Sequence, residues 1–137
     1  MSCSLRKDKM ENKATASILI VDDNEVIRRA LGGLIRHDES LAVVGEAASG
    51  ETALESIKTL QPMLVCLDVL LPGIDGLAVL RAIREEHPAV RVVMITGQAT
   101  SEVVTQAREL GAHGFVVKPF NGAKVLATIQ RVLGRSA

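Results

Sequence analysis

The sequence lacks the residue types that mark several common classes of protein. Its 137 residues include no tryptophan or tyrosine, two phenylalanines and two cysteines. A disulfide framework or a cysteine metal site needs more cysteines, or closer spacing, than Cys3 and Cys66 offer. No apolar run approaches the roughly 20 residues of a membrane span, and the N-terminus carries no apolar signal segment. We therefore expect a cytoplasmic protein with an aliphatic core.

The sequence also has no excess of charge of either sign. Lys+Arg and Asp+Glu each number 16, so the formal net charge is +0. Nucleic-acid-binding proteins usually carry a basic stripe, and none is visible here, so neither nucleic acid nor a membrane is an expected partner. The three histidines are scattered and do not share the spacing of zinc ligands.

An alternation of short apolar runs and amphipathic helical patterns is present from Ile18 onward. The predicted strands are Ile18–Asp22, Ala42–Ala47, Met63–Asp68, Arg91–Thr96 and Gly114–Val117. The predicted helices are Asn24–His37, Gly50–Leu60, Leu77–Glu86, Ser101–Leu110 and Gly122–Leu133. Strict alternation predicts right-handed crossovers and a parallel sheet covered on both faces. The fold class is therefore α/β, most naturally a flavodoxin-like doubly wound sheet of order 2-1-3-4-5 with five helices.

The length and the 47% apolar content favour one packed domain. We assign this domain to residues 18–134. Residues 1–17 are polar and aperiodic and are expected to form a flexible tail. Residues 135–137 form a short C-terminal tail. Met10 offers an alternative start to Met1.

Polar residues follow four of the predicted strands at the points where the apolar runs stop. They are Asp22 and Asp23, then Asp68, then Thr96 with Gly97, then Lys118 with Pro119. Ligands of open parallel sheets bind outside the carboxyl ends of the strands. The strand order given above would also place the first and third strands side by side. We therefore expect three carboxylates, a hydroxyl and an ammonium to meet at one site.

The chemistry of this residue set points to a divalent cation and a phosphoryl group. Two carboxylates about 4 Å apart repel each other by roughly 4 kcal/mol at an effective dielectric of about 20. Mg²⁺ would relieve the repulsion of Asp22, Asp23 and Asp68, because it prefers oxygen ligands. Asp68 could also act as a nucleophile toward phosphorus, with Lys118 and Thr96 binding phosphoryl oxygens.

Gly97 would leave room for the phosphoryl group and expose a backbone N–H. Each element has an ordinary alternative when taken alone. Asp22-Asp23-Asn24 could be a helix cap, and Asp68 could be a turn residue.

Together these segments resemble the receiver domain of bacterial two-component response regulators, in a stand-alone form like the chemotaxis regulators. The matching segments are 21–24, 68–76, 95–97 and 118–120. The resemblance implies that Asp68 accepts a phosphoryl group in a magnesium-dependent reaction. The donor would be a phosphohistidine on a sensor histidine kinase or a histidine phosphotransfer protein. Asp22, Asp23, Asp68 and the backbone carbonyl of Leu70 would hold the magnesium.

The resemblance also implies a conformational switch that controls a protein partner. Thr96 would move toward the phosphoryl group, and Phe115 would rotate inward behind it, although Phe115 lacks the hydroxyl of the Tyr common there and could be an ordinary core residue. The Lys118–Pro119 peptide bond is expected to be cis. Leu70 and Gln98 occupy the positions that tune the lifetime of the acyl phosphate in similar proteins.

Two other functions are weighed against this one. A pseudo-receiver binding module would lack phosphorylation, yet every site residue is present. A phosphohydrolase of the haloacid dehalogenase type would carry a second Asp two residues after the nucleophile, where this chain has Leu70. We therefore expect that the chain is not an enzyme and that it catalyses only its own phosphorylation and dephosphorylation. The sequence leaves open the downstream target, dimerisation on activation, and whether the chain is part of a longer regulator.

The first predicted helix carries an unusually wide apolar stripe. It consists of Val26, Ile27, Ala30, Leu31, Leu34 and Ile35, and it covers about half of the circumference at roughly 100° per residue. One hypothesis is that an edge of this stripe is exposed and docks the kinase. The alternative is that the whole stripe packs into the sheet.

Overall fold

The computed structural model describes residues 15–135. Most of the predicted N-terminal tail, including Cys3 and the alternative start at Met10, lies outside these residues. The strands are β1 (Ala16–Val21), β2 (Leu41–Ala47), β3 (Leu64–Leu67), β4 (Arg91–Thr96) and β5 (Gly114–Val117). The helices are α1 (Glu25–Arg36), α2 (Gly50–Leu60), α3 (Gly76–Glu86), α4 (Ser101–Glu109) and α5 (Gly122–Val132).

The five strands form one sheet in the order β2-β1-β3-β4-β5, and all four pairings are parallel. The predicted order 2-1-3-4-5 is therefore confirmed. Val21, the last residue of β1, lies beside Leu67, the last residue of β3. This pairing brings the residues that follow β1 and β3 to the same point on the sheet edge.

Most predicted element boundaries agree with the structure to within a residue or two. The clearest difference is at the start of β1, where Ala16 and Ser17 belong to the strand and not to the tail. Ser17 is fixed there because its backbone carbonyl accepts a hydrogen bond from the Met63 N–H at 2.9 Å. β1 and β3 end one residue before Asp22 and Asp68. Each of these aspartates also accepts, at its carboxylate, a hydrogen bond from a backbone N–H two residues further on.

Two aliphatic layers pack against the sheet, one on each face. The first layer lies under α2, α3 and α4 and contains residues such as Leu19, Val65 and Met94. The second lies under α1 and α5 and contains Ile18, Ile20 and the buried Cys66. The alternation of β1 between the two layers is what a strand covered on both faces requires.

Strand β2 departs from regular alternation. Ile18 pairs with Val43, but the next residue of β1, Leu19, pairs with Gly45. Val44 is therefore an extra residue, which makes a β-bulge on an outer strand of the sheet.

The apolar stripe of α1 is only partly covered. Leu31 and Ile35 are buried, whereas Val26 is 70% exposed and Ala30 is also exposed. Packing of the whole stripe into the sheet is therefore wrong. The exposed edge that the docking hypothesis requires is present, and the docking itself stays a prediction. Among residues 15–135, no helix is long and apolar enough to cross a membrane.

Candidate functional site

The three predicted aspartates converge at the carboxyl edge of the sheet. Asp22 and Asp23 follow β1, and Asp68 follows β3. One carboxylate oxygen from each lies within 4.8 Å of the others. Asp22 and Asp68 are buried, at 2% and 5% exposure, while Asp23 faces solvent. The site is therefore a small acidic pocket with one open side.

The Lys118 ammonium bridges two of these carboxylates. Its Nζ donates hydrogen bonds to Asp22 Oδ2 at 2.7 Å and to Asp68 Oδ2 at 2.8 Å. The backbone N–H of Lys118 also donates to the Thr96 carbonyl at 2.9 Å, which ties the end of β5 to the end of β4. The Lys118–Pro119 peptide bond is cis, as the resemblance implied. Lys118 is thus a counter-ion for the aspartates in this structure.

Burial and charge act in opposite directions on the groups of this site. Burial raises the pKa of Asp22 above its usual value, although hydrogen bonds from Lys118 and from the Asn24 N–H act to lower it. Burial alone would lower the pKa of Lys118, but its contacts with Asp22 and Asp68 raise it overall. Lys118 therefore stays protonated, and its positive charge offsets the cost of burying the carboxylates.

The donor set suits a hard divalent cation. The three side chains offer carboxylate oxygens, with no thiol or imidazole among them, and Mg²⁺ and Ca²⁺ favour such ligands. Leu70 lies directly beside this set, since its backbone N–H donates to Asp68 Oδ1 at 3.3 Å. The residues present therefore fit the cation that the sequence predicted, and Asp22, Asp23 and Asp68 would hold it.

Thr96 and Gly97 lie at the end of β4, next to β3. The Thr96 side chain is fully buried, and its Oγ1 accepts a hydrogen bond from the Gln98 N–H at 3.1 Å. A Cβ placed on Gly97 would have no atom within 4 Å, so the space beside this residue is open. Leu70 and Gln98 are both exposed at the rim of the site.

Phe115 lies farther from the carboxylates. It pairs with Met94 on β4, two residues before Thr96, and alternation places it on the same face of the sheet as Thr96. The ring is half-buried and packs against the first core layer. This position is what an ordinary core residue would occupy, and the inward rotation stays a prediction.

The ordinary explanations for the acidic residues are only partly correct. The N-cap of α1 is Asn24, whose Oδ1 accepts the Ile27 N–H at 3.1 Å. The side chains of Asp22 and Asp23 are therefore not the N-cap of this helix. Asp68 does make a turn contact with the Leu70 N–H, but its other oxygen pairs with Lys118.

Sequence reasoning missed two residues beside the site. The Arg28 guanidinium donates from Nη1 to the backbone carbonyl of Asp22 at 2.7 Å, and its Nε pairs with Glu46 Oε1 at 3.0 Å. The spacing of Arg28 on α1 gives no signal for such a contact. Glu46 could not be placed either, because the β-bulge at Val44 changes which face of the sheet it occupies.

Comparison with known proteins gives a consistent result. Residues 18–130 match the family model of the response regulator receiver domain. Protein CcdB of Bacillus subtilis is 38% identical over 85% of this chain and 97% of its own length. A protein-glutamate methylesterase/protein-glutamine glutaminase of Methanosarcina mazei is 40% identical over 74% of this chain but only 28% of its own length.

The fold also has close structural counterparts. One is the CheX–CheY–BeF3–Mg²⁺ complex from Borrelia burgdorferi, with a TM-score of 0.85 and 30% identity. The match covers 90% of this chain and 93% of the other. The similarity therefore extends over nearly all of the residues that the structure describes.

Proposed function

Since this chain belongs to the response regulator receiver domain family, we propose that it is a signalling switch whose Asp68 accepts a phosphoryl group in a Mg²⁺-dependent reaction. The observation that carries the proposal is the pairing of the buried Asp68 carboxylate with the Lys118 ammonium at 2.8 Å, beside two further carboxylates. The CheY complex that resembles this fold contains both BeF3 and Mg²⁺, which supports the same assignment here.

In the proposed reaction, an oxygen of Asp68 attacks the phosphorus of a phosphohistidine donor. A P–O bond forms as the P–N bond to the donor breaks, and the electron pair of that bond returns to the imidazole. The bound cation would neutralise charge on the phosphoryl oxygens. Lys118 would release Asp22 and bind a phosphoryl oxygen. The Gly97 N–H would donate to another oxygen.

Thr96 and Phe115 would form the switch. The Thr96 Oγ1 accepts a hydrogen bond from the Gln98 N–H at 3.1 Å, and its own proton would be donated to a phosphoryl oxygen. Phe115 lies on the same face of the sheet and is half-buried, and an inward rotation would bury its ring further. Leu70, which is 58% exposed, and Gln98 lie at the rim, where they would control the access of water to the acyl phosphate.

Catalysis by this chain would be limited to its own phosphorylation and dephosphorylation. The match to the methylesterase relative spans only 28% of that protein's length, so its enzyme activity is not carried over to this chain. A pseudo-receiver is not favoured either, because Asp22, Asp23, Asp68 and Lys118 lie together at one site.

The phosphoryl donor would be a sensor histidine kinase or a histidine phosphotransfer protein. We place its docking surface on the exposed edge of α1, formed by Val26 and Ala30 next to Asp23. Val26 follows the solvent-facing Asp23 by three residues, so a donor bound there would bring its phosphohistidine close to the acidic pocket. The downstream target would be another protein.

Intact-mass spectrometry with a small phosphodonor tests the acceptor. The wild type should gain one phosphoryl group when Mg²⁺ is present and none when EDTA removes it. Asp68→Asn should gain none in either case, because the amide is not a nucleophile at this position. The matched variant Asp75→Asn alters a cap of α3 outside the site and should still be phosphorylated. An adduct on Asp68→Asn would contradict the assignment.

A further inference from the structure

We propose that Arg28 and Glu46 form a positioning pair for the carboxylates at the end of β1, and that this pair sets the affinity of the site for Mg²⁺. The inference rests on the function proposed above, since it assumes a cation held by Asp22 and Asp23. Neither residue touches the phosphoryl position, so both would act through Asp22.

One guanidinium connects three elements at this point. Arg28 lies on α1, contacts the carbonyl of Asp22 after β1 at 2.7 Å, and pairs with Glu46 on β2 at 3.0 Å. Its side chain is only 16% exposed. A largely desolvated charge-assisted hydrogen bond of this kind is stronger and more directional than an exposed one. The contact is therefore suited to fixing a backbone orientation.

The contacts of Asp22 show what this hydrogen bond controls. The backbone N–H donates to the Ala47 carbonyl at 3.1 Å. Carboxylate Oδ1 accepts from the Asn24 N–H at 2.9 Å, and Oδ2 accepts from Lys118. The carbonyl that Arg28 holds belongs to the peptide unit joining Asp22 to Asp23. Its orientation therefore affects the directions of both carboxylates at once.

The β-bulge explains how Glu46 reaches Arg28. Regular alternation from Val43 would turn position 46 away from α1. Because Val44 is an extra residue, Glu46 instead pairs with Ile20, which faces the layer under α1 and α5. The bulge therefore places a carboxylate on the α1 side of an outer strand, where it can orient the guanidinium.

Charge alone and positioning predict opposite effects of removing Arg28. A cation near the site opposes the binding of a second cation, so by charge alone Arg28→Gln would bind Mg²⁺ more tightly. If Arg28 instead positions the ligands, the same change weakens binding. Partners of metal ligands typically contribute about 10–100-fold to affinity. The sign of the change therefore separates the two effects.

Titration of the whole chain with Mg²⁺ tests the inference. Calorimetry and backbone amide NMR measure the binding. The chain has no tryptophan to report binding by fluorescence. Arg28→Gln should bind Mg²⁺ about tenfold more weakly than the wild type. Arg28→Lys keeps the charge but loses the two-pronged geometry and should also weaken binding. If Arg28→Gln does not fold, the Mg²⁺ affinity of Arg28→Lys tests the inference.

Arg29→Gln is the matched control, because it removes the same charge from the neighbouring position of α1. Arg29 pairs with Glu25 at 2.9 Å, and both side chains are largely exposed, so its Mg²⁺ affinity should stay within about twofold of the wild type. Unchanged or tighter binding in Arg28→Gln, or unchanged binding in Arg28→Lys, would overturn the inference and leave the proposed function intact. A wild type that binds no Mg²⁺ would instead overturn the proposed cation site, and the positioning role with it.

Discussion

At the scale of single residues, the hydrogen bonds of some partly buried side chains require one protonation state of the side chain. Lys118 must be charged to serve two carboxylates. His113 must have an unprotonated Nδ1, because that atom accepts a hydrogen bond from the Val92 N–H at 3.0 Å. The backbone N–H of His113 donates in return to the Val92 carbonyl at 2.8 Å. This histidine therefore links the start of β4 to the segment before β5 only in its neutral form.

The surroundings of His113 predict a pH dependence of stability. Burial lowers its pKa below 6.5, and the charges of Arg84 and Arg91 lower it further. Arg108 and Arg131 line the same groove. The unfolded chain then binds a proton more readily than the folded chain, so the contribution of His113 to stability is complete above pH 6.5 and declines as the pH falls below it.

Urea unfolding at about pH 7.5 and about pH 5.5 checks this prediction. His113→Asn should show a smaller loss of unfolding free energy between the two values than the wild type, because the Asn carbonyl can accept the Val92 N–H at either pH. His87→Asn serves as the control, since the hydrogen bonds of His87 at the end of α3 come from its backbone. Equal losses in His113→Asn and the wild type would rule the effect out.

The limits of sequence reasoning are also clearest at this scale. Asp22, Asp68, Thr96 and Lys118 could be predicted to meet, because each follows an apolar run and parallel strands end at one edge. The hydrogen bonds from Lys118 to both Asp22 and Asp68 could not be predicted. The sequence pattern shows that a lysine is near the carboxylates but not which atoms it contacts. Glu46 was missed for a different reason, because a bulge shifts the alternation and its mark in the sequence, Gly45 inside the strand, was not used.

At the scale of elements, the β3–α3 connection is held by a close backbone approach. Gly76 begins α3, and its N–H donates to the Val69 carbonyl at 2.7 Å. A Cβ at this position would collide with the Asp68 carbonyl oxygen and lie 2.7 Å from Val69 Cα. Because these are backbone atoms, a side chain here could be accommodated only by moving the segment that carries Asp68.

Gly76→Ala is therefore expected to lower the unfolding free energy by about 1–3 kcal/mol and to slow phosphorylation of Asp68. Gly33→Ala provides the contrast. Gly33 lies in α1, is exposed, and would have no atom within 4 Å of a new Cβ. An alanine there should raise stability by about 0.5–1 kcal/mol. Denaturant unfolding of both variants measures the difference, and a Gly76→Ala protein as stable as the wild type would refute the close-approach argument.

Element boundaries were predicted well because their signals are local. The Asn24, Ser49, Asp75, Thr100 and Asn121 side chains each accept an N–H in the first turn of a helix. Such caps are visible in the sequence. The start of β1 was placed too late because Ala16 and Ser17 are not strongly apolar. Their strand conformation depends on pairing with Leu41 and Ala42 of β2, which is a tertiary contact.

At the scale of the whole molecule, the chain concentrates its chemistry on one edge of the sheet and leaves an adjacent apolar surface uncovered. Val26 is 70% exposed on α1, two residues after the cap that follows Asp23. A surface of this kind next to a phosphoacceptor favours a donor protein over a small molecule as the physiological source of phosphoryl groups.

Val26→Gln should therefore separate the two sources of phosphoryl groups. Transfer from a phosphorylated histidine protein that modifies the wild type should slow by about fivefold or more, as expected when an apolar contact at an interface is lost. Phosphorylation by a small phosphodonor should be unchanged, because Val26 does not contact Asp68. Leu60→Gln is the matched control. Leu60 is 41% exposed at the far end of α2, so this change should affect neither rate. If Val26→Gln accepts phosphoryl groups from the histidine protein as fast as the wild type and Leu60→Gln do, the donor docks on another surface.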